Sequence, residues 1–195
     1  MIPAFDERGV ALRLQPLPWF SSLAFGVACA SRLLPNYRRF FDETKWGDVT
    51  PIEHALDYLA RSAGTQTLPA ESECRRLAAE CEAQAPRSEE FSALFTTSAQ
   101  DAVFAVCSLL DYCAERKLDQ VVLAARYAAD SIDLYVQETE QMRPGDPALE
   151  AKILAHRLMQ QELERQERDL AALGTGVADT VAGVLSRRAT EDVFL

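Results

Sequence analysis

The 195-residue chain is 48% hydrophobic and 26% charged, which suffices for one domain with its own core. Thirty acidic residues against 20 basic ones leave a formal charge of -10, a field that repels phosphate backbones and excludes nucleic acid as the expected partner. The basic pairs Arg38-Arg39, Arg75-Arg76 and Arg187-Arg188 read as solvated helix faces.

Leu14 to Ser31 carries no charge, and Ala28-Cys29-Ala30 has the look of a cleavage site. A secretory signal needs a basic start, and here Asp6, Glu7, Arg8 and Arg13 give no net positive charge. Pro16 and Pro18 break the run, so Trp19 to Ala30 falls well short of the roughly 20 residues that a membrane span requires. The alternative is a helix. Phe20, Leu23, Ala24, Val27, Ala30, Ser31 and Leu34 recur at helical spacing, while Trp19, Phe25, Cys29 and Leu33 cover the other side. A helix that is apolar nearly all round is a buried one, and Gly26, Ala28 and Ala30 would let its neighbours approach closely.

Pro35 suits a first helical turn and is expected to open the next segment, with Tyr37, Phe40 and Phe41 on one face. Trp46-Gly47-Asp48 ends it, with Gly47 in the left-handed region. Thr50-Pro51-Ile52-Glu53 reads as a capping box for a helix to about Ala63 with a stripe of Leu56, Leu59 and Ala60. Gly64 to Thr67 is a loop. A polar helix from Pro69 to about Gln84 follows, with Glu71–Arg75 and Arg76–Glu80 as charge pairs and Cys74, Leu77 and Cys81 facing the core. Ser88-Glu89-Glu90 begins a turn that sends Phe91, Leu94 and Phe95 inward.

Ser98 is expected to cap the strongest helix, striped by Ala99, Ala102, Val103, Val106, Leu109, Leu110 and Cys113. Asp119 caps another, in which Val122, Ala125, Ala129, Ile132 and Val136 keep the period and Asp130 and Asp133 face out; it ends at Met142-Arg143-Pro144-Gly145. Asp146-Pro147 opens a long charged helix to about Leu173, with Glu164–Arg168 and Arg165–Asp169 as pairs and Gly174 as its stop. A last helix runs from about Val177 to Arg188. The whole predicts an all-α, single-domain bundle of seven to eight helices over residues 1–195 with a buried N-terminal helix, residues 1–16 and 189–195 being the less ordered ends.

Ser31 to Asp48 (SRLLPNYRRFFDETKWGD), Ala99 to Cys113 (AQDAVFAVCSLLDYC) and the order of the helices after them resemble the YjaG-like family of uncharacterised bacterial proteins, a domain of unknown function. The resemblance covers nearly the full length. It implies an all-helical cytoplasmic protein without an established activity.

Five cysteines cannot all pair, and none lies in a CxxC arrangement, so Cys29, Cys74, Cys81, Cys107 and Cys113 are expected as buried free thiols of a reduced, cytoplasmic protein. No phosphate loop, GxSxG or HExxH occurs, and His54 and His156 sit in no recognised motif, so neither cofactor nor metal is expected. His54 reads as a half-exposed surface residue near Asp57, and His156 as packed or partner-facing. Asn36, Tyr37, Trp46 and Asp48 set hydrogen-bonding groups beside aromatic surface, the composition of a ligand pocket and equally of a helix junction, with the junction favoured. The leading expectation is a non-enzymatic protein acting through protein contacts, with itself as homodimer or with a partner chain; Leu154 and Leu158 would offer it an apolar strip. The alternative is a small-molecule-binding or enzymatic bundle with its pocket near Tyr37, Trp46 and Asp48.

Overall fold

A helix is buried on every side only if others surround it, and one helix here meets that condition. Every residue from 21 to 30 is buried in α2 (Trp19–Thr44). In the computed structural model, residues 5–143, 145–175 and 179–188 are described. Among them lie α1 (Glu7–Leu14), α2, α3 (Thr50–Thr65), α4 (Glu71–Glu82), α5 (Thr96–Glu115), α6 (Asp119–Thr139), α7 (Leu149–Ala155), α8 (Arg157–Gly174) and α9 (Thr180–Arg187), with no strand. The expected tail, residues 189–195, lies outside the described residues.

α2 is the axle of the bundle, with α3, α5, α6, α8 and α9 packed around it. Gly26 makes the closest approach: a Cβ there would stand 2.3 Å from Leu109 Cδ2 on α5 and 3.3 Å from Val121 Cγ1 on α6. The core stripe expected on α5 is buried throughout, and Tyr112 at its far end donates its hydroxyl to the Trp19 carbonyl at 3.3 Å. α4 turns Cys74, Leu77 and Cys81 inward and carries both expected ion pairs, Glu71–Arg75 and Arg76–Glu80, on its exposed face. All five cysteines are free and buried. No helix among the described residues is long and apolar enough to cross a membrane.

The structure corrects several element boundaries. Among the described residues nine helices replace seven to eight, and the buried helix is the second, preceded by the half-exposed α1. Pro35 lies inside α2, with no segment opening there. An interior proline costs about 3 kcal/mol, but Leu33, Tyr37 and Phe40 are fully buried on either side of it, and their packing outweighs that cost. α3 runs on through Gly64, and Gln66, with φ of 55°, closes it. The Thr50–Glu53 capping box does not form: Asp48 Oδ1 accepts from the Thr50 amide at 2.9 Å, while Glu53 takes a bond from Arg38.

Leu94 is exposed although Phe95 is buried, and Ser98 is a buried residue within α5, which begins at Thr96. Asp119 is the first helical residue of α6, after Leu118. The expected long helix is two. His156 has φ -66° and ψ 138°, a break in helical geometry, and its Nδ1 accepts from the Leu158 amide at 3.3 Å to cap α8.

Candidate functional site

The Pro35–Asp48 segment forms the corner where α2 hands over to α3 and the end of α4 arrives. Tyr37 is buried and donates its hydroxyl to the Gln84 carbonyl at 2.9 Å; burial pushes that hydroxyl's pKa up to about 12. The Asp48 amide donates to Gln84 Oε1 at 2.9 Å, so one glutamine receives both strands of the corner. Gly47 has φ of 85°, and a Cβ there would meet the Tyr37 hydroxyl at 2.4 Å, so only glycine fits that turn. Asp48 itself is exposed, and hydrogen bonds from Thr50 hold its carboxyl below the usual range. Trp46 is half-buried in a ring cluster, 6.1 Å from Phe40 and 5.3 Å from Phe91 between centroids, with Phe40 and Phe91 edge to face at 5.2 Å.

Tyr37, Trp46 and Asp48 are thus brought together, and each spends its polar or aromatic surface on the corner. Asn36 is elsewhere, about 100° round the helix from Tyr37. It is buried, and neither its amide nitrogen nor its amide oxygen has a hydrogen-bond partner. His54 is exposed on α3. Among the described residues no group of three or more His, Cys, Asp or Glu is placed to hold a metal ion.

The main polar feature of the interior was invisible in the sequence. Arg32 is 1% exposed in the middle of α2, facing Glu162 at 0% and Asp169 at 1% on α8. Its Nε and Nη2 donate to the two Glu162 oxygens at 2.8 and 2.7 Å, a bidentate pair, and Nη1 reaches Asp169 Oδ2 at 3.3 Å. Asp169 also accepts from Arg187 on α9 at 2.9 Å and from Arg168 at 3.1 Å. Gln166, buried between them, donates to Glu162 Oε1 at 2.9 Å and to the Ala125 carbonyl of α6 at 3.1 Å. Burial opposes the charge on Arg32, but its surroundings, the Glu162 carboxylate foremost and Asp169 with it, together more than offset that and keep the guanidinium protonated. Cys29, one turn earlier and fully buried, has its thiol pKa pushed up chiefly by that burial.

A second buried acid lies between α5 and α6. Asp101 accepts from the Ser131 hydroxyl at 2.7 Å, and burial lifts its pKa to about 7 in spite of that bond, with the nearby Asp130 charge adding to the rise. On the same face Phe104 and Tyr127 lie 6.0 Å apart, and Leu134 follows Tyr127 by two turns. Phe104 is 37% and Leu134 38% exposed. The leucines of α7 and α8 singled out for a partner strip, Leu154 and Leu158, pack half-buried against the chain's own core.

The family described as "Protein of unknown function (DUF416)" matches residues 9–190. The chain belongs to the DUF416 family. Its fold is similar to the crystal structure of a DUF416 family protein from Shewanella baltica OS155, with a TM-score of 0.83 and 24% identity over 92% of this chain and 93% of that one. At that identity the likeness speaks to the DUF416 fold alone. No curated protein matches the sequence.

Proposed function

We propose that this DUF416 protein is a non-enzymatic cytoplasmic protein that works through contacts with another protein chain, a second copy first among them, and that the α5–α6 face makes the contact. The observation that carries this is the exposed Phe104 and Leu134, with the half-buried Tyr127 against Phe104, on the outer surface of two tightly packed helices. A rigid face of this kind loses little entropy on docking, and a two-fold axis through it would bury the same side chains from both copies. Buried free thiols support a reduced compartment, and the -10 charge speaks against nucleic acid. The affinity to YjaG-like proteins within DUF416 belongs to the same reading and rests on Ser31 to Asp48.

The competing reading, a ligand pocket at Tyr37, Trp46 and Asp48, is weakened because Gln84, Thr50 and the Phe40–Phe91 rings already occupy those groups. The test is the mass in solution across a concentration series. A dimer that becomes a monomer on Leu134→Glu or Phe104→Glu, with helical content unchanged, supports the proposal. A wild-type monomer throughout, or a dimer indifferent to both changes, removes the second copy and this face.

A further inference from the structure

Where α3 and α9 flank α2 there is a cleft of about 410 Å³, lined by Ser31, Leu34, Pro35, Leu56 and four charged side chains, Arg38, Glu53, Asp57 and Arg188. We propose that it binds a small zwitterion of the amino-acid type. The site is separate from the α5–α6 face.

Its floor is polar for a reason that lies in the backbone. Pro35 has no N–H, so the Ser31 carbonyl, four residues earlier, lacks its usual helical donor. The Ser31 hydroxyl is shielded from solvent and has no hydrogen-bond partner, although a serine within a helix ordinarily returns its proton to a carbonyl one turn back. A withdrawn, unsatisfied hydroxyl costs about 1–3 kcal/mol, which a ligand able to pair with it would recover. Leu34, Pro35 and Leu56 supply apolar wall beside this floor.

The rim determines the charge of the occupant. Arg38 donates to Glu53 at 2.6 Å and Arg188 to Asp57 at 2.8 Å, so two cations and two anions face one cavity. Glu53 and Asp57 are one turn apart on α3, a spacing at which like charges repel, and each is compensated by an arginine from elsewhere, Arg38 on α2 and Arg188 just past the end of α9. A simple anion entering here would meet two carboxylates, and a simple cation two guanidiniums. A molecule carrying both an ammonium and a carboxylate can satisfy all four. Its carboxylate would bond Arg188 and Arg38 and, with the Ser31 side chain turned towards the cleft, accept the Ser31 hydroxyl proton; its ammonium would meet Glu53 and Asp57, while an apolar side chain rests on Leu34 and Leu56. The rim pairs are exchangeable because they are largely solvated: Arg38 and Asp57 are 53% and 64% exposed, and such pairs contribute about 0–1 kcal/mol by themselves. Arg188 is held in place from behind, since its neighbour Arg187 is bonded to the buried Asp169.

The experiment is titration calorimetry of the full chain with each of the common α-amino acids at millimolar concentration, with acetate, inorganic phosphate and methylammonium as single-charge probes. The expected result is binding of at least one amino acid and none of the single-charge probes. Arg188→Gln and Ser31→Ala should each weaken it about tenfold, the loss of one charge-assisted or recovered hydrogen bond. Ser31→Ala takes away only a hydroxyl and keeps the test decisive should Arg188→Gln loosen α9. Failure of every amino acid to bind would overturn the proposal. So would acetate or phosphate binding as tightly as an amino acid, or affinity unchanged in both variants.

Discussion

At Gly26, α2 meets α5 and α6 through the aliphatic carbons of Leu109 and Val121; six residues later, at Arg32, it meets α8 through a guanidinium and two carboxylates. The first contact is non-directional and grows with area, so small shifts of the neighbours leave most of it intact. The second depends on geometry: its groups are fully buried, and either partner left alone is a charge with no water to turn to. One side of the axle gains its stability from packing, while the other gains register, because α8 can dock in only the position that brings Glu162 and Asp169 to Arg32.

The contrast can be broken most severely at Arg32. Arg32→Met should destabilise the fold by about 3–5 kcal/mol in urea unfolding, since Glu162 is stranded. Adding Glu162→Met should restore most of the loss, and a double variant as unstable as the single one would show that the pair is not acting as a unit. The next effect is at Asp101. Its pKa of about 7 when folded, against 3.8 when exposed, means that the native state holds more protons between those values. Its contribution is therefore fully present at low pH, declines as pH rises towards about 7, and is flat above.

Asp101→Asn keeps an acceptor for Ser131 and abolishes that decline, so the variant should gain about 2–4 kcal/mol over the wild type near pH 8 and little near pH 4. Parallel curves of urea midpoint against pH for the two proteins would contradict this. On the packed side, Gly26→Ala forces a methyl group onto Leu109, at a cost of about 1–3 kcal/mol by thermal melting. Unchanged melting would mean that α5 can give way. The smallest effect is expected at the α7–α8 break, where His156→Ala removes a cap worth about 1 kcal/mol.

The packed side was legible in the sequence because apolar residues announce their own burial: the period through Ala99 to Cys113 and the uncharged run to Ala30 each pointed to the right helix. The exposed pairs of α4 were legible for the same local reason, both partners lying one turn apart. The charged side was not. Asp169 reads as a surface partner of Arg165, and nothing within a turn of Arg32 betrays carboxylates 130 and 137 residues away. His156 breaks a helix with neither Gly nor Pro beside it, and Pro35, which does look like a boundary, is overridden by the burial of Tyr37 and Phe40. Of the residues singled out at the corner, Tyr37, Trp46 and Asp48 were found together by proximity in the chain. Arg188 and Asp57, which share the cleft, are 131 residues apart and could meet only in three dimensions.

The five shielded thiols have a practical corollary. Cys29 lies beneath Arg32 on the axle, whereas Cys74 and Cys81 on α4 and Cys107 and Cys113 on α5 line a different seam. An alkylating reagent cannot touch any of them until the helices part, so the order in which they become labelled is a built-in record of which seam breathes first.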